Sequence, residues 1–194
     1  LAGHLLTLDP GRAAPEPARV SEALELARHA VAESAGREPH AYVNLGVALA
    51  YGGDAAGALE AFEAAVRAGP HLPQPWRNLG ALHLEAGRWT EAAEALGRAV
   101  ALQPAFVEAR YGWARAWAEL GEADRALEEV AVAMGQRPDP AAARQVAQAL
   151  MPGAPRHAAA LLSRLVAAQP EDLASLRLAA PTLERLGDRQ NAAK

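Results

Sequence analysis

Three series of residues, each spaced by 34 positions, constrain the fold of this chain more than any other feature. The series are Gly53, Gly87 and Gly121; Ala58, Ala92 and Ala126; and Pro70, Pro104 and Pro138. A sustained period of this length is typical of a solenoid in which each repeat is one pair of helices. The period therefore predicts an all-α fold of stacked helical hairpins.

Each period reads as two helices separated by glycine and ended by proline. In the unit that begins at Pro39, the first helix is predicted to run to Tyr51, where Gly52 and Gly53 end it. Asp54 is well placed to cap the second helix, which is predicted to end at Ala68. Small residues at equivalent places of the first helices, Gly46, Gly80 and Ala114, predict a close crossing of the two helices in each hairpin.

The spacing changes after Pro138. The step from Gly121 to Gly153 is 32 residues, and the step from Gly153 to Gly187 returns to 34. We therefore predict a shortened helix or turn between Pro138 and Gly153. Further on, Pro181 lies in the middle of a helical pattern, where proline costs about 3 kcal/mol or forces a kink.

The beginning of the chain carries a looser pattern. Residues 1–8 are predicted to end a helix that Asp9, Pro10 and Gly11 stop. A second helix is predicted from Ala18 to about Ser34 because apolar residues recur there at intervals of three and four. Helical patterns reach both ends of the sequence, so we expect the chain to be a piece of a larger polypeptide.

The composition of the 194 residues excludes several classes of function. Cysteine is absent, which excludes disulfides, thiolate metal sites and cysteine nucleophiles. The net charge is −4 and no cluster of arginine or lysine indicates a nucleic-acid surface. No apolar run reaches the length of about 18 residues that a membrane span needs. The compartment stays undetermined, with a cytoplasmic location weakly favoured.

The middle of the chain carries a family resemblance. Trp76, Leu79, Gly80, Gly87, Ala92, Ala99 and Pro104 follow the spacing W-x2-L-G, G, A, A, P. This pattern resembles the tetratricopeptide repeat (TPR), in the form found in bacterial multi-repeat proteins. The resemblance implies a single array with a variant repeat over residues 1–38, repeats over 39–72, 73–106 and 107–138, a degenerate repeat over 139–172 and a truncated one over 173–194. The repeat over 107–138 departs from the pattern at Trp113 and Ala114.

The fold implied by the resemblance is a right-handed superhelix whose concave groove binds a protein or peptide partner. The predicted groove contacts are Asn44, Tyr51, Arg77, Asn78, Tyr111 and Arg115. The carboxylate clamp known in this family does not fit, because Val43, Val47, Glu108 and Gly112 stand where it needs polar or cationic groups. A ladder of asparagine amides along a peptide backbone matches at Asn44 and Asn78, and Gly112 interrupts it.

Other readings stay open beside this one. The two asparagines are also explained as ordinary repeat residues, and Trp76, Trp89, Trp113 and Trp117 are explained by packing. No constellation of a nucleophile, a base and an oxyanion donor is found, no histidine pair has metal-binding spacing, and no cofactor is implied. The alternative function is an accessory domain that positions substrate for a glycosyltransferase-like or sulfatase-like enzyme. Self-association through the ends of the array is a further hypothesis.

Overall fold

The chain is all-α throughout the part that the computed structural model describes, which is residues 16–192, with side chains up to Gly187. Its helices are α1 (Pro17–Glu33), α2 (Pro39–Tyr51), α3 (Ala55–Ala68), α4 (Pro73–Glu85), α5 (Trp89–Leu102), α6 (Val107–Glu119), α7 (Ala123–Gln136), α8 (Pro140–Leu150), α9 (Pro155–Ala168) and α10 (Leu173–Ala192). The predicted all-α solenoid of helical hairpins is confirmed. The prediction of a helix end in residues 1–8 falls outside the described residues.

The chain divides into two compact units, Leu1–Pro104 (unit 1) and Ala105–Lys194 (unit 2). Consecutive helices of unit 1 pack as antiparallel neighbours, and α2 also contacts α4. Within unit 2 the same arrangement recurs, with α6 in contact with both α7 and α8 and with α9 against both α8 and α10. Helices α2, α4, α6, α8 and α10 are called first helices below, and the others second helices.

Glycine with a positive φ lies in the turn that follows the first helix of three hairpins, as predicted. Gly53, Gly87 and Gly121 have φ values of +82°, +69° and +83°. Residues with a Cβ rarely adopt this left-handed conformation, so the spacing of glycine follows from the turn geometry. After Gly53, the side chain of Asp54 accepts a hydrogen bond of 2.9 Å from the amide of Gly57 and caps α3, again as predicted.

The small residues of the first helices lie where the two helices of a hairpin cross. A Cβ atom added to Gly46 would stand 2.5 Å from the ring of Phe62, and one added to Gly80 would stand 2.5 Å from Leu96. At the equivalent place in unit 2, Ala114 is fully buried. The close crossing therefore requires residues with little or no side chain at these positions, as the sequence predicted.

The shortened step of 32 residues has a local cause. Helix α8 has 11 residues, whereas α2, α4 and α6 have 13 each. The connection before α8 covers residues 137–139, one fewer than the connection over 69–72, and the turn after it covers 151–154, one more than the turn over 52–54. The prediction of a shortened helix is confirmed.

Pro181 lies inside α10 without ending it. The helix continues from Leu173 to Ala192, and Pro181 is exposed. The neighbouring Thr182 is buried and its hydroxyl donates to the carbonyl of Leu178 at 2.7 Å. The helix therefore extends beyond the proline that was expected to fray or kink it.

Candidate functional site

The polar face of unit 1 is formed by α2 and α4. His40, Asn44 and Tyr51 share one side of α2 because they are four and seven residues apart in turn. Gln74, Asn78 and Glu85 repeat the same spacing on α4. Since α2 and α4 contact each other, the two rows lie on neighbouring helices. This set of six residues is called the polar face below.

The two asparagines occupy the same register and differ in exposure. Asn44 is the sixth residue of α2, and Asn78 is the sixth residue of α4. Asn44 is half-buried, whereas Asn78 is only 6% exposed. The Oδ1 atom of Asn78 accepts a hydrogen bond of 2.8 Å from Nη1 of Arg77. This charge-assisted bond fixes the orientation of the amide and leaves the donors on Nδ2 and one lone pair of Oδ1 as its remaining hydrogen-bonding groups.

Apolar packing supports the polar face from below. Val47, Phe62, Leu79 and Leu82 belong to one buried cluster, and the half-buried side chain of Tyr51 packs against it. Val47 was expected on the surface of the groove; it is instead a core residue, because it lies against the next first helix. A rigid base of this kind holds the side chains above it in place.

His40 stands at the start of the polar face and has an acidic neighbour. Its Nδ1 lies 3.1 Å from Oε1 of Glu38, and both side chains are largely exposed. The side-chain hydrogen bond to His40 is the main cause that lowers the pKa of Glu38 below its usual value. This end of the face therefore presents an imidazole beside a carboxylate.

Tyr111 has a different place from the one predicted for it. The side chain is 4% exposed and belongs to the core of unit 2. Its hydroxyl accepts a hydrogen bond of 3.0 Å from the amide of Asp139 and donates one of 3.3 Å to the carbonyl of Arg137. Burial raises the pKa of the phenol above its ordinary value. The phenol thus joins α6 to the connection that precedes α8.

In unit 2, several polar residues on or beside the first helices form ion pairs with one another. Arg137 pairs with Glu108, and Arg144 pairs with Asp172. The hydroxyl of Ser175 donates to Asp172 at 2.7 Å; this hydrogen bond is the largest cause that lowers the pKa of the Asp172 carboxyl. Arg115, another predicted contact, is half-buried on α6. Charges here join successive repeats of the unit.

The tryptophans mostly serve packing. Trp76 packs against the core of unit 1, and its Nε1 donates to the carbonyl of Pro70 at 2.9 Å. Trp113 and Trp117 have ring centroids 6.1 Å apart, and the guanidinium of Arg125 lies 4.8 Å from the centroid of Trp117. Trp117 also packs against the core of unit 2. The packing role expected of these tryptophans therefore holds for Trp76 and Trp117, and Trp117 also has a cation over its ring.

Neither metal chemistry nor a membrane span is indicated in the described part of the chain. Over residues 16–187, no group of three histidine, aspartate or glutamate side chains is placed to hold a metal ion. No helix among the described residues is long and apolar enough to cross a membrane.

Repeated antiparallel hairpins, three of them with a glycine of positive φ in the turn, define a helical-repeat protein. Two sequence models, each described as tetratricopeptide repeat, match residues 12–73 and 83–150. The chain belongs to the tetratricopeptide repeat family. Proteins of this family are in general scaffolds for protein interaction, and the fold of this chain supports that general role. No curated protein sequence matches it significantly.

Solved structures of the same fold include three that are informative. YrrB, described as a TPR protein with an unusual peptide-binding site, shares 24% identity, with 81% of this chain and 82% of that chain covered and a TM-score of 0.67. TTC0263 of Thermus thermophilus shares 22%, with 86% and 91% covered and a TM-score of 0.62. A TPR protein of Parabacteroides merdae shares 17%, with 91% and 70% covered and a TM-score of 0.71. At these identities the likeness shows the fold.

Proposed function

We propose that unit 1 binds an extended peptide segment of a partner protein along the polar face of α2 and α4. The observation that carries the proposal is the equivalent placement of Asn44 and Asn78 on two contacting helices, with the second amide oriented by Arg77. An extended backbone repeats donors and acceptors that side-chain amides can match without reading the peptide sequence.

Asn44 and Asn78 have different roles in this proposal. Asn44 is half-buried and offers both a donor and an acceptor. At Asn78 one lone pair of Oδ1 accepts from Arg77, which turns the amide so that its N–H donors are the groups proposed to bind peptide carbonyl oxygens. Tyr51 adds an aromatic surface fixed by its packing against the core. Tyr111 supports its own repeat and is left out of the contact set, because its hydroxyl is buried and bonded to backbone groups.

A preformed face favours binding. The polar side chains stand on helices whose cores are already packed, so a ligand orders few scaffold residues. The peptide site described for YrrB belongs to that protein and supports only the class of ligand that is proposed here. An accessory role beside an enzyme stays a hypothesis about sequence outside this chain.

The test uses a random peptide display library selected against residues 1–194, followed by calorimetric titration of one synthetic selected peptide. Asn44→Ala combined with Asn78→Ala removes hydrogen bonds worth about 1 kcal/mol each, so we expect affinity to fall about tenfold or more. Arg98→Ala, at an exposed position of the second helix α5, is the matched control and leaves affinity unchanged. Circular dichroism verifies that the variants are folded.

A chemical change of the peptide separates backbone recognition from side-chain recognition. N-methylation of a peptide amide removes the hydrogen-bond donor that would bind Asn44. For a peptide methylated at that amide, we therefore expect wild type and Asn44→Ala to bind with equal affinity. Peptide binding that is insensitive both to the asparagine variants and to N-methylation contradicts the proposed site.

A further inference from the structure

The C-terminal ends of α2 and α4 bring an aromatic ring and a carboxylate to one end of the polar face. Tyr51 is the last of the 13 residues of α2, and Glu85 is the last of the 13 residues of α4. The two helices contact each other. The side chain of Tyr51 is half-buried against the core, and that of Glu85 is exposed. An aromatic ring together with a carboxylate is the chemistry that binds an organic cation.

The backbone adds negative potential at the same end of the face. The C-terminal end of a helix carries a partial negative charge, because its last carbonyl groups have no partner within the helix. Two such ends lie here on contacting helices. The last turn of α2 holds no basic residue, and the last turn of α4 holds only His83. The protonation of His83 therefore decides whether the helices supply a cation of their own.

His83 is neutral and turned away from Glu85. Its Nδ1 accepts a hydrogen bond of 2.9 Å from Nε of Arg88, which requires an unprotonated Nδ1. Burial, followed by the charge of Arg88, lowers the pKa of His83 below its ordinary value. Two residues correspond to 200° around a helix, so His83 points to nearly the opposite side of α4 from Glu85. The bond to His83 holds Arg88 on that opposite side as well.

The other basic residues of α2 and α4 are engaged elsewhere. Arg77 precedes Glu85 by eight residues, which is about 12 Å along α4, and its Nη1 donates to Asn78. At the far end of the face, His40 lies beside Glu38. Among the residues that the structure describes, no ion pair joins Glu85 to a basic side chain. Within that part of the chain, the Glu85 carboxylate is open to a cation that a ligand brings.

We propose that this end of the polar face binds a lysine or arginine side chain of the peptide that unit 1 holds. The ring of Tyr51 contacts that side chain, and the carboxylate of Glu85 pairs with its charge. The inference rests on the proposed peptide site and adds a sequence preference to it, because the asparagine amides bind backbone groups only.

The distance between the two parts of the site sets a spacing in the peptide. Tyr51 lies seven residues beyond Asn44, and Glu85 lies seven residues beyond Asn78, which is about 10 Å along each helix. An extended chain spans that distance with about three residues. The basic residue is therefore expected about three positions from the peptide groups that the asparagines bind.

Selection from the random peptide display library tests this preference. Against the wild-type chain, we expect the selected peptides to share a lysine or arginine at one position. Against Glu85→Lys, the same library is expected to yield an acidic residue at that position instead. Glu94→Lys makes the same charge change at an exposed position of the second helix α5, and it should select the same peptides as the wild type. Selected peptides that share no basic residue overturn the proposal.

Calorimetric titration of one synthetic selected peptide measures the two contacts separately. Glu85→Gln and Tyr51→Leu are each expected to weaken binding about twofold to fivefold. Tyr51→Phe keeps the ring and should bind as the wild type does. Replacing the basic residue of the peptide by norleucine removes its charge, so Glu85→Gln should no longer weaken binding.

The asparagine variants separate this proposal from the peptide site itself. If Asn44→Ala combined with Asn78→Ala lowers affinity and Glu85→Gln does not, the cation site is overturned and the peptide face stands. If neither change has an effect, the selected peptide binds elsewhere and both proposals are overturned. If both changes weaken binding and norleucine abolishes only the effect of Glu85→Gln, the cation site is supported.

Discussion

At the scale of single residues, one phenol joins two repeats of unit 2. Tyr111 inserts from α6 and bonds the amide of Asp139 and the carbonyl of Arg137. Buried backbone groups without a partner are costly, so the hydroxyl satisfies two groups that the short connection before α8 leaves open. Tyr111 thereby acts on the stability of the unit.

We predict that Tyr111→Phe lowers the free energy of unfolding by about 1–2 kcal/mol, because the amide of Asp139 loses its acceptor in a partly buried place. Urea unfolding at neutral pH, followed by circular dichroism, measures this loss. A variant as stable as the wild type would show that water replaces the phenol without cost.

We also predict that Tyr111 makes the free energy of unfolding fall at alkaline pH. Burial raises the pKa of Tyr111 above its ordinary value of 10.0, so above that pH the unfolded chain loses a proton that the folded chain keeps. The contribution is present below pH 10.0 and disappears as the pH rises through the folded pKa. Wild type should therefore lose more stability above this pH than Tyr111→Phe does, and equal losses in an alkaline unfolding series would contradict it.

The sequence could not reveal the place of Tyr111. Its spacing put it among the groove residues, because the resemblance assigns that side of a first helix to ligands. The deciding partner lies 28 residues further on, at Asp139, in a connection one residue shorter than the one over 69–72. Bonds of this kind depend on loop geometry, which periodicity does not encode. The roles of Asn44, Tyr51, Arg77 and Asn78 stay predictions.

At the scale of elements, the crossing of two helices is set by a pair of facing residues. Gly46 faces Phe62, and Gly80 faces Leu96. In the hairpin of α6 and α7, the equivalent residues are the larger Ala114 and the smaller Val130. Ala114 and Val130 are both fully buried in one cluster. A smaller residue on the first helix is thus accompanied by a larger side chain at the facing position of the second helix.

We predict that Gly46→Ala destabilises unit 1 by about 1–3 kcal/mol, because the new methyl group would stand 2.5 Å from the ring of Phe62. Adding Phe62→Val reproduces the pair found at Ala114 and Val130, so Gly46→Ala should cost less in the Phe62→Val background than in the wild type. Denaturant unfolding of both single variants and the double variant measures the coupling energy between the two sites.

Gly135 provides the control for this pair. It lies in α7, and a Cβ added there would meet no atom within 4 Å. Gly135→Ala should therefore be neutral or gain up to about 1 kcal/mol from the lower backbone entropy of the unfolded chain. If Gly46→Ala gains as much as Gly135→Ala, the close crossing does not constrain that residue.

Elements were largely predictable where a single local cause fixes them. The turn glycines follow from positive φ, the capping of α3 follows from Asp54, and the shortened α8 follows from the missing residues after Pro138. The continuation of α10 through Pro181 was not predictable, because proline normally interrupts a helix and its tolerance depends on the residues that surround it.

At the scale of the whole molecule, a scaffold with packed helices predicts binding without refolding. On saturation with a selected peptide, the far-ultraviolet circular dichroism of residues 1–194 should stay constant. The free energy of unfolding should rise by about 2.7 kcal/mol when the peptide concentration is a hundred times its dissociation constant, if unfolding is cooperative. A marked gain of helical signal would instead show that the ligand orders part of the chain.

The interlock between Gly46 and Phe62 also bears on how such chains diversify. A first helix recombined with the second helix of another hairpin brings together residues that were never matched, so a ring can meet a methyl group or leave a void. Exchange of an entire hairpin keeps the matched pair intact. Duplication and shuffling are therefore tolerated when the breakpoints fall at the prolines between hairpins, and sequence drift on one helix of a pair limits the drift that its companion can accept.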